Sequence, residues 1–287
     1  METNNFVPKA LIVGLGKWGT IMTRCLIEYG YTVYYANREL SKSQDFENLI
    51  NSDRLFSFKE YKYDYIFNIL LICVKPKDIF SVWLRFSQYS KCALIEKPGP
   101  LSEYEIKKIY QDSNKNKIAT IVNYEFFFIN LFFLKKLLTQ QKFFLKKIEV
   151  VWTKKLNIKG DLIWRILPHM IAELFLFEKN HLEFKNMDLS DTNIMFDGLI
   201  ENIPFKIEFR DNKNKSHFTK FLMHDGSYLL KDENIVYHNS KVIKSVNQTT
   251  IENMLSNLNY GNPVEEFVKL NQDLSLFVNR IINQIKI

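Results

Sequence analysis

Residues 10–30 read ALIVGLGKWGTIMTRCLIEYG. The opening is a short apolar run, the pattern of a strand buried on both faces. Beyond it Trp18, Ile21, Met22, Cys25 and Leu26 recur at helical spacing, and Gly30 closes the helix. Between the two, Gly14, Gly16 and Gly19 stand in G-x-G-x-x-G spacing. In a dinucleotide fold the first two glycines allow a tight turn and the approach of a pyrophosphate, and the third lets the helix pack on the strand. The helix start, Lys17 and Trp18 included, then offers backbone N–H groups and a partial positive charge to the phosphates. A purely structural glycine turn is the competing reading. The strand-like YTVYYA that follows at the right distance favours a dinucleotide.

Working outward, the runs YIFNILLICV, KCALIE and KIATIV alternate with helical stretches through about residue 122. Ser102 and Glu105 form a capping-box pattern ahead of one of these helices. Strands separated by helices need crossover connections and make a parallel sheet. After Asn123 the character changes. A greasy helix over 124–138 precedes KKIEVVW, and a helical block follows at 161–178. Short strands separated by Asn/Asp/Gly turns then run from about 182 to 245. The last segment reads as a helix with Asn262 as N-cap, Pro263 in its first turn and Glu265 in capping-box position. The fold class is therefore α/β. A doubly wound parallel sheet of Rossmann type spans 1–122, and an α/β domain with a mainly antiparallel open sheet and a C-terminal helix spans 123–287.

The composition narrows the function classes. With 287 residues, 46% hydrophobic, the chain can build sizeable cores. Cys25, Cys73 and Cys92 are odd in number and scattered, which suits reduced thiols in a cytoplasm and argues against a disulfide framework or zinc site. No signal peptide is visible. FFFINLFFL at 126–134 is too short to span a bilayer and is apolar nearly all round, so a buried helix is expected and no membrane partner. The formal charge of +7 comes from lysines spread along the chain, a solvated basic surface rather than a nucleic-acid footprint. His181, His217, His224 and His238 lack metal-ligand spacing and read as surface or turn residues; no metal is expected.

The end of the second strand indicates which dinucleotide. An NAD site places a carboxylate there for the ribose hydroxyls. This chain has Ala36-Asn37-Arg38, and a guanidinium pairs with a 2′-phosphate. NADP(H) is expected over NAD, with a solvated surface Arg38 as the alternative. The run LIEKPGP at 94–100 then puts Lys97 at the carboxyl end of a parallel strand, where such sheets bind ligands. An amine there, shielded by a nicotinamide, exchanges a proton with a substrate oxygen while hydride moves. The bland reading is that Glu96 and Lys97 are exposed loop residues.

The glycine loop, the strand ending in Lys75-Pro76 and the triplet Glu96-Lys97-Pro98 resemble the glucose-fructose oxidoreductase/inositol dehydrogenase/MocA (Gfo/Idh/MocA) family. The resemblance continues through VNYEFFF and LKKIEVVW to GDLIWRILPHMIAEL and covers about 180 residues before it fades. It implies a catalytic Lys97 joined to Pro98 by a cis bond, and cofactor contacts from Val74, Lys75, Pro76, Glu96 and Pro98. It also implies substrate contacts from Tyr124, and homo-oligomers through the C-terminal sheet. His169 matches the family histidine, but Arg165 stands where the family has aspartate, and Phe80 where it often has histidine. His169 and Glu173 share a helix face, and Glu173 is a further candidate substrate contact. His169 is thus a candidate for proton relay or substrate binding, or else a core histidine, while Arg165 is a candidate grip for an anionic substrate group.

Three functions follow as expectations. The first is an oxidoreductase using NADP(H), with NAD the alternative, on the carbonyl or alcohol of a sugar-like or nucleotide-sugar molecule. The second is an imine reductase in a biosynthetic pathway. The third is a non-catalytic NADP-binding sensor of the same fold.

Overall fold

The computed structural model describes residues 7–38, 54–57, 66–124, 131–141, 145–155, 166–175, 182–190, 193–232 and 234–285. The chain divides into two compact units, Met1–Asn123 with Met254–Ile287, and Tyr124–Asn253.

In the first unit the strands are β1 (Lys9–Val13), β2 (Thr32–Asn37), β3 (Leu55–Ser57), β4 (Phe67–Ile72), β5 (Ser90–Glu96) and β6 (Ala119–Asn123). They form one parallel sheet in the order β3-β2-β1-β4-β5-β6. The crossover helices are α1 (Lys17–Glu28), α2 (Pro76–Phe86) and α3 (Glu103–Asn116). Leu11, Ile12, Leu70 and Leu94 are fully buried, as strands covered on both faces require. The chain winds one way from β1 to β3 and then returns to lay β4 on the far side of β1. That reversal leaves a crevice at the carboxyl ends of β1 and β4, the usual ligand position in open α/β sheets.

The second unit holds α4 (Leu131–Gln141), β7 (Leu145–Thr153) and α5 (Leu167–Leu174). It continues with β8 (Leu182–Leu189), β9 (Asn193–Ile200), β10 (Ile203–Arg210), β11 (Ser216–Met223), β12 (Tyr228–Asp232), β13 (Ile235–His238) and β14 (Lys241–Ser245). The sheet order is β14-β13-β12-β11-β7-β10-β9-β8. It is antiparallel except at β7–β10. Alternate residues of β7 and β11 are buried, the period-two pattern of a sheet with one covered face. Among the described residues, no helix is long and apolar enough to cross a membrane.

The structure differs from the sequence-based expectations in three places. Within α6 (Thr250–Leu258), at Met254, the chain returns to the first unit, so the C-terminal helix α7 (Glu265–Ile285) belongs there and not with 124–253. The cause is visible at Asn271, which is fully buried. Its Oδ1 accepts from the Val122 N–H at 2.8 Å and its Nδ2 donates to the Val122 carbonyl at 2.8 Å. The side chain thereby satisfies the open edge of β6. Second, α7 starts at Glu265, two residues past Pro263, with the Val268 N–H bonded to the Val264 carbonyl. Third, Ser102 is the N-cap of α3, but its side chain makes no capping bond. Within 124–138 and 161–178, helix is described only over Leu131–Gln141 and Leu167–Leu174; 125–130, 156–165 and 176–181 lie outside the described residues.

Candidate active site

The glycine loop lies at the carboxyl end of β1, bonded by Gly14 N–H to the Ala36 carbonyl of β2 and flanked by Cys73 N–H on the Val13 carbonyl. Gly14 has φ +96°, and a Cβ there would sit 2.5 Å from the Cys73 carbonyl oxygen. A Cβ on Gly19 would lie 2.2 Å from the Gly14 oxygen, so helix and turn approach at a distance only glycine permits. Around Gly16 there is open space. Gly16 is the extended N-cap of α1 and has no side chain to cap the helix, and no acidic residue stands in the first turn. Lys17 and Trp18 are exposed beside it. The arrangement suits a phosphate: uncapped N–H groups, no competing carboxylate and room beside the backbone.

At the end of β2 the Asn37 side chain accepts from the Arg38 N–H at 2.9 Å. The Arg38 side chain is 65% exposed and reaches Asp78 in the first turn of α2 at 3.3 Å. Lys75 is the extended N-cap of α2 and Pro76 its first residue, a place where the missing N–H is not needed. Val74 is half-buried between the end of β4 and this cap.

Glu96 ends β5 and is buried, Lys97 is half-buried and Pro98 buried, and the Lys97–Pro98 bond is cis. The Gly99 N–H returns to the Glu96 carbonyl at 3.1 Å, which closes the turn. Glu96 accepts from Asn123 Nδ2 on the neighbouring strand β6 at 2.7 Å. Burial pushes the Glu96 carboxyl up, opposed by the Asn123 hydrogen bond, the Lys97 charge and the Lys97 N–H. Cys73 is held well above its usual range by burial and the Glu96 charge, so its thiol is poorly nucleophilic. The structure thus brings every predicted cofactor residue, from Gly14 to Pro98, to the carboxyl ends of β1, β2, β4 and β5.

In the second unit Tyr124 is fully buried and meets His169 edge-on, ring centroids 6.4 Å apart. His169 stacks on Trp152 at 5.8 Å, and Trp152 lies against His217 at 4.8 Å. His217 is therefore buried in β11, contrary to its reading as a surface residue. His224 and His238 are exposed, and His181 lies outside the described residues. Glu173 does not face open space: Lys231 of β12 pairs with it, both side chains being almost wholly buried. A carboxylate so engaged holds the sheet to α5 rather than waiting for a substrate, although its second oxygen has no hydrogen-bond partner. Arg165 lies outside the described residues. Among the described residues, no group of His, Cys, Asp or Glu is placed to hold a metal.

Sequence reasoning missed Asn123, Asp78, Trp152 and Lys231. For the last two a signal existed. Trp152 shares parity with Ile148 and Val150, and Lys231 with Leu229, so period two alone turns them inward.

No family model and no curated protein matches the chain by sequence. Solved structures do match by fold. One is UDP-N-acetylglucosamine 3-dehydrogenase from Acidithiobacillus ferrooxidans, with TM-score 0.74 and 12% identity over 98% of this chain and 97% of that one. Another is a Gfo/Idh/MocA family oxidoreductase from Vibrio cholerae, with TM-score 0.71 and 13% identity over 97% and 98%. A dehydrogenase from Chromobacterium violaceum gives TM-score 0.72 and 10% identity over 96% and 93%. The fold is that of Gfo/Idh/MocA oxidoreductases, over essentially the whole length of each chain.

Proposed function

We propose that the protein is a nicotinamide-dependent oxidoreductase that prefers NADP(H) and acts on a carbonyl or alcohol of a sugar-like or nucleotide-sugar substrate. The observation that carries this reading is Lys97, half-buried at the carboxyl end of β5 on the same sheet edge as the glycine loop. The fold supports it, since the Acidithiobacillus ferrooxidans enzyme of the same architecture is named for a nucleotide-sugar substrate.

The residues present fit a dinucleotide. The α1 N-terminus and the Gly14–Gly19 cradle would hold the pyrophosphate, and Val74, Lys75 and Pro76 would flank the nicotinamide half. When bound, the nicotinamide supplies or accepts the hydride. Lys97 provides the proton: its ammonium gives one to a nascent alkoxide in reduction, and the free amine takes one in oxidation. Its half-burial leaves it partly shielded from solvent and partly accessible. Arg38 would hold the 2′-phosphate, released from or shared with Asp78.

Lys97→Ala is expected to lower turnover at least a hundredfold while NADPH affinity, measured by fluorescence titration, stays within a few-fold. Normal turnover in this variant removes Lys97 from the mechanism. Arg38→Asp should weaken NADPH relative to NADH by at least tenfold; an unchanged ratio overturns the cofactor preference. A screen of sugar carbonyls beside imines separates the proposed reaction from imine reduction, which uses the same hydride geometry.

A further inference from the structure

We propose that Glu96 is a positioning residue that sets the proton affinity of Lys97, with Asn123 as the group that holds the Glu96 carboxyl, rather than a contact to the cofactor. The inference rests on the proton-transfer role given above to Lys97.

Glu96 is 7% exposed, and its Oε1 is engaged by the neighbouring strand β6. Asn123 is 1% exposed, stands opposite Glu96 in the β5–β6 register, and donates from Nδ2 at 2.7 Å. A surface carboxylate needs no such partner. A buried one does, because desolvation otherwise drives it to its neutral form.

Asn123 Oδ1 is buried and has no hydrogen-bond partner. A native side chain rarely leaves an acceptor so stranded without a reason. Here the reason is chemical. With the amide as placed, Nδ2 donates to an ionised Glu96. Turned by half a rotation, Oδ1 faces the same carboxyl and accepts a hydrogen bond from the O–H of neutral Glu96. The pair therefore makes one hydrogen bond in either protonation state, and a change of charge at Glu96 need not break the sheet edge.

Among the described residues, Lys97, Cys73 and Asn123 act on or respond to Glu96. Lys97 follows it on the chain and its ammonium pulls the carboxyl toward the ionised form, against the burial that pushes it up. Cys73, at the end of β4 on one side, is held neutral by burial and by the Glu96 charge. From β6 on the other side comes the uncharged Asn123. Lys97 is thus a charged group through which a change at Glu96 is felt, and coupling of this kind acts in both directions. An ionised Glu96 holds Lys97 as ammonium, ready to donate; a neutral Glu96 lets the amine lose its proton and accept.

The test reads the lysine directly and needs no turnover. Trace acetylation of the full-length protein at a series of pH values, with peptide-resolved mass spectrometry, gives the pH at which Lys97 is half reactive. For Glu96→Gln that pH is expected to fall by about one unit, because the neighbouring negative charge is gone. Asn123→Leu removes the donor to the ionised carboxyl and should shift it the same way by less. The double variant should match Glu96→Gln alone, since Asn123 acts through Glu96. Should Asn123→Leu fail to melt cooperatively, Asn123→Ser replaces it. Lys97 titrating at the wild-type pH in Glu96→Gln overturns the proposal, as does a double variant whose shift is the sum of the two. Turnover in Lys97→Ala remains a separate measurement. If that variant turns over normally the function proposed above fails, whatever the labelling shows.

Discussion

At the scale of single residues, a buried carboxyl beside an amine has a consequence for stability as well as chemistry. The Glu96 carboxyl is pushed up by burial in the folded chain. The unfolded chain then gives up this proton at lower pH than the folded one. Whatever stability the neutral carboxyl confers is fully present in acid, below the unfolded value, and is lost as pH rises through the folded value. Glu96→Gln fixes the neutral form in nearly the same shape. The variant should melt higher than wild type at pH 8, and the difference should shrink toward pH 4; thermal melts across that range check the sign. A gap that widens in acid would mean that the folded state favours the carboxylate. The sequence displayed Lys97 plainly, because a charged residue pinned before a proline at the end of an apolar run is a local signal. It hid the partners. Glu173 and Lys231 lie 58 positions apart and meet only through the packing of α5 on a strand, which no local pattern encodes.

At the scale of elements, the alternation of apolar runs and helical patterns was sufficient to read β1, α1, β2 and the crossover units, because each is decided by its own periodicity. Strand order was less accessible. The parallel pairing of β7 with β10 joins segments about fifty residues apart inside an otherwise antiparallel sheet, and the turns between neighbours say nothing about it. The return of α7 to the first sheet was hidden for a similar reason. Its signature is one asparagine, Asn271, whose amide takes the place of a missing strand on β6. Asn271→Ala leaves the Val122 N–H and carbonyl buried without partners. At about 1–3 kcal/mol for each stranded group the loss should be about 3 kcal/mol, measured by urea unfolding. Asn271→Asp should also destabilise near neutral pH, since a carboxylate accepts from the N–H but cannot donate to the carbonyl. A change below about 0.5 kcal/mol in both would show that water fills the place of the amide.

At the scale of the whole molecule, the chain leaves its first unit at Asn123 and comes back at Met254, so that unit is discontinuous in sequence. The returning segment is no loose appendage. Along α7, which packs on β6 and α3, Leu270, Leu274, Val278, Ile281, Ile282 and Ile285 are buried. At about 1.5–3 kcal/mol for each side chain removed from water, the six contribute on the order of 10 kcal/mol. That figure is an upper estimate, because the unfolded chain already shields part of the same surface. It is nevertheless comparable with the whole net stability of a typical domain, about 5–15 kcal/mol. A chain ending at residue 253 should therefore fail as a folded first unit, although every residue of the glycine loop and of the Lys97 turn is still present. The expected outcome is loss of a cooperative melt, binding of a hydrophobic dye, and no measurable NADPH affinity. Adding residues 254–287 back as a separate peptide should restore part of the cofactor binding in a concentration-dependent way, since the helix would then dock by mass action. A truncated chain that melts like the full one and binds NADPH with unchanged affinity would show that the parallel sheet is complete without its final helix.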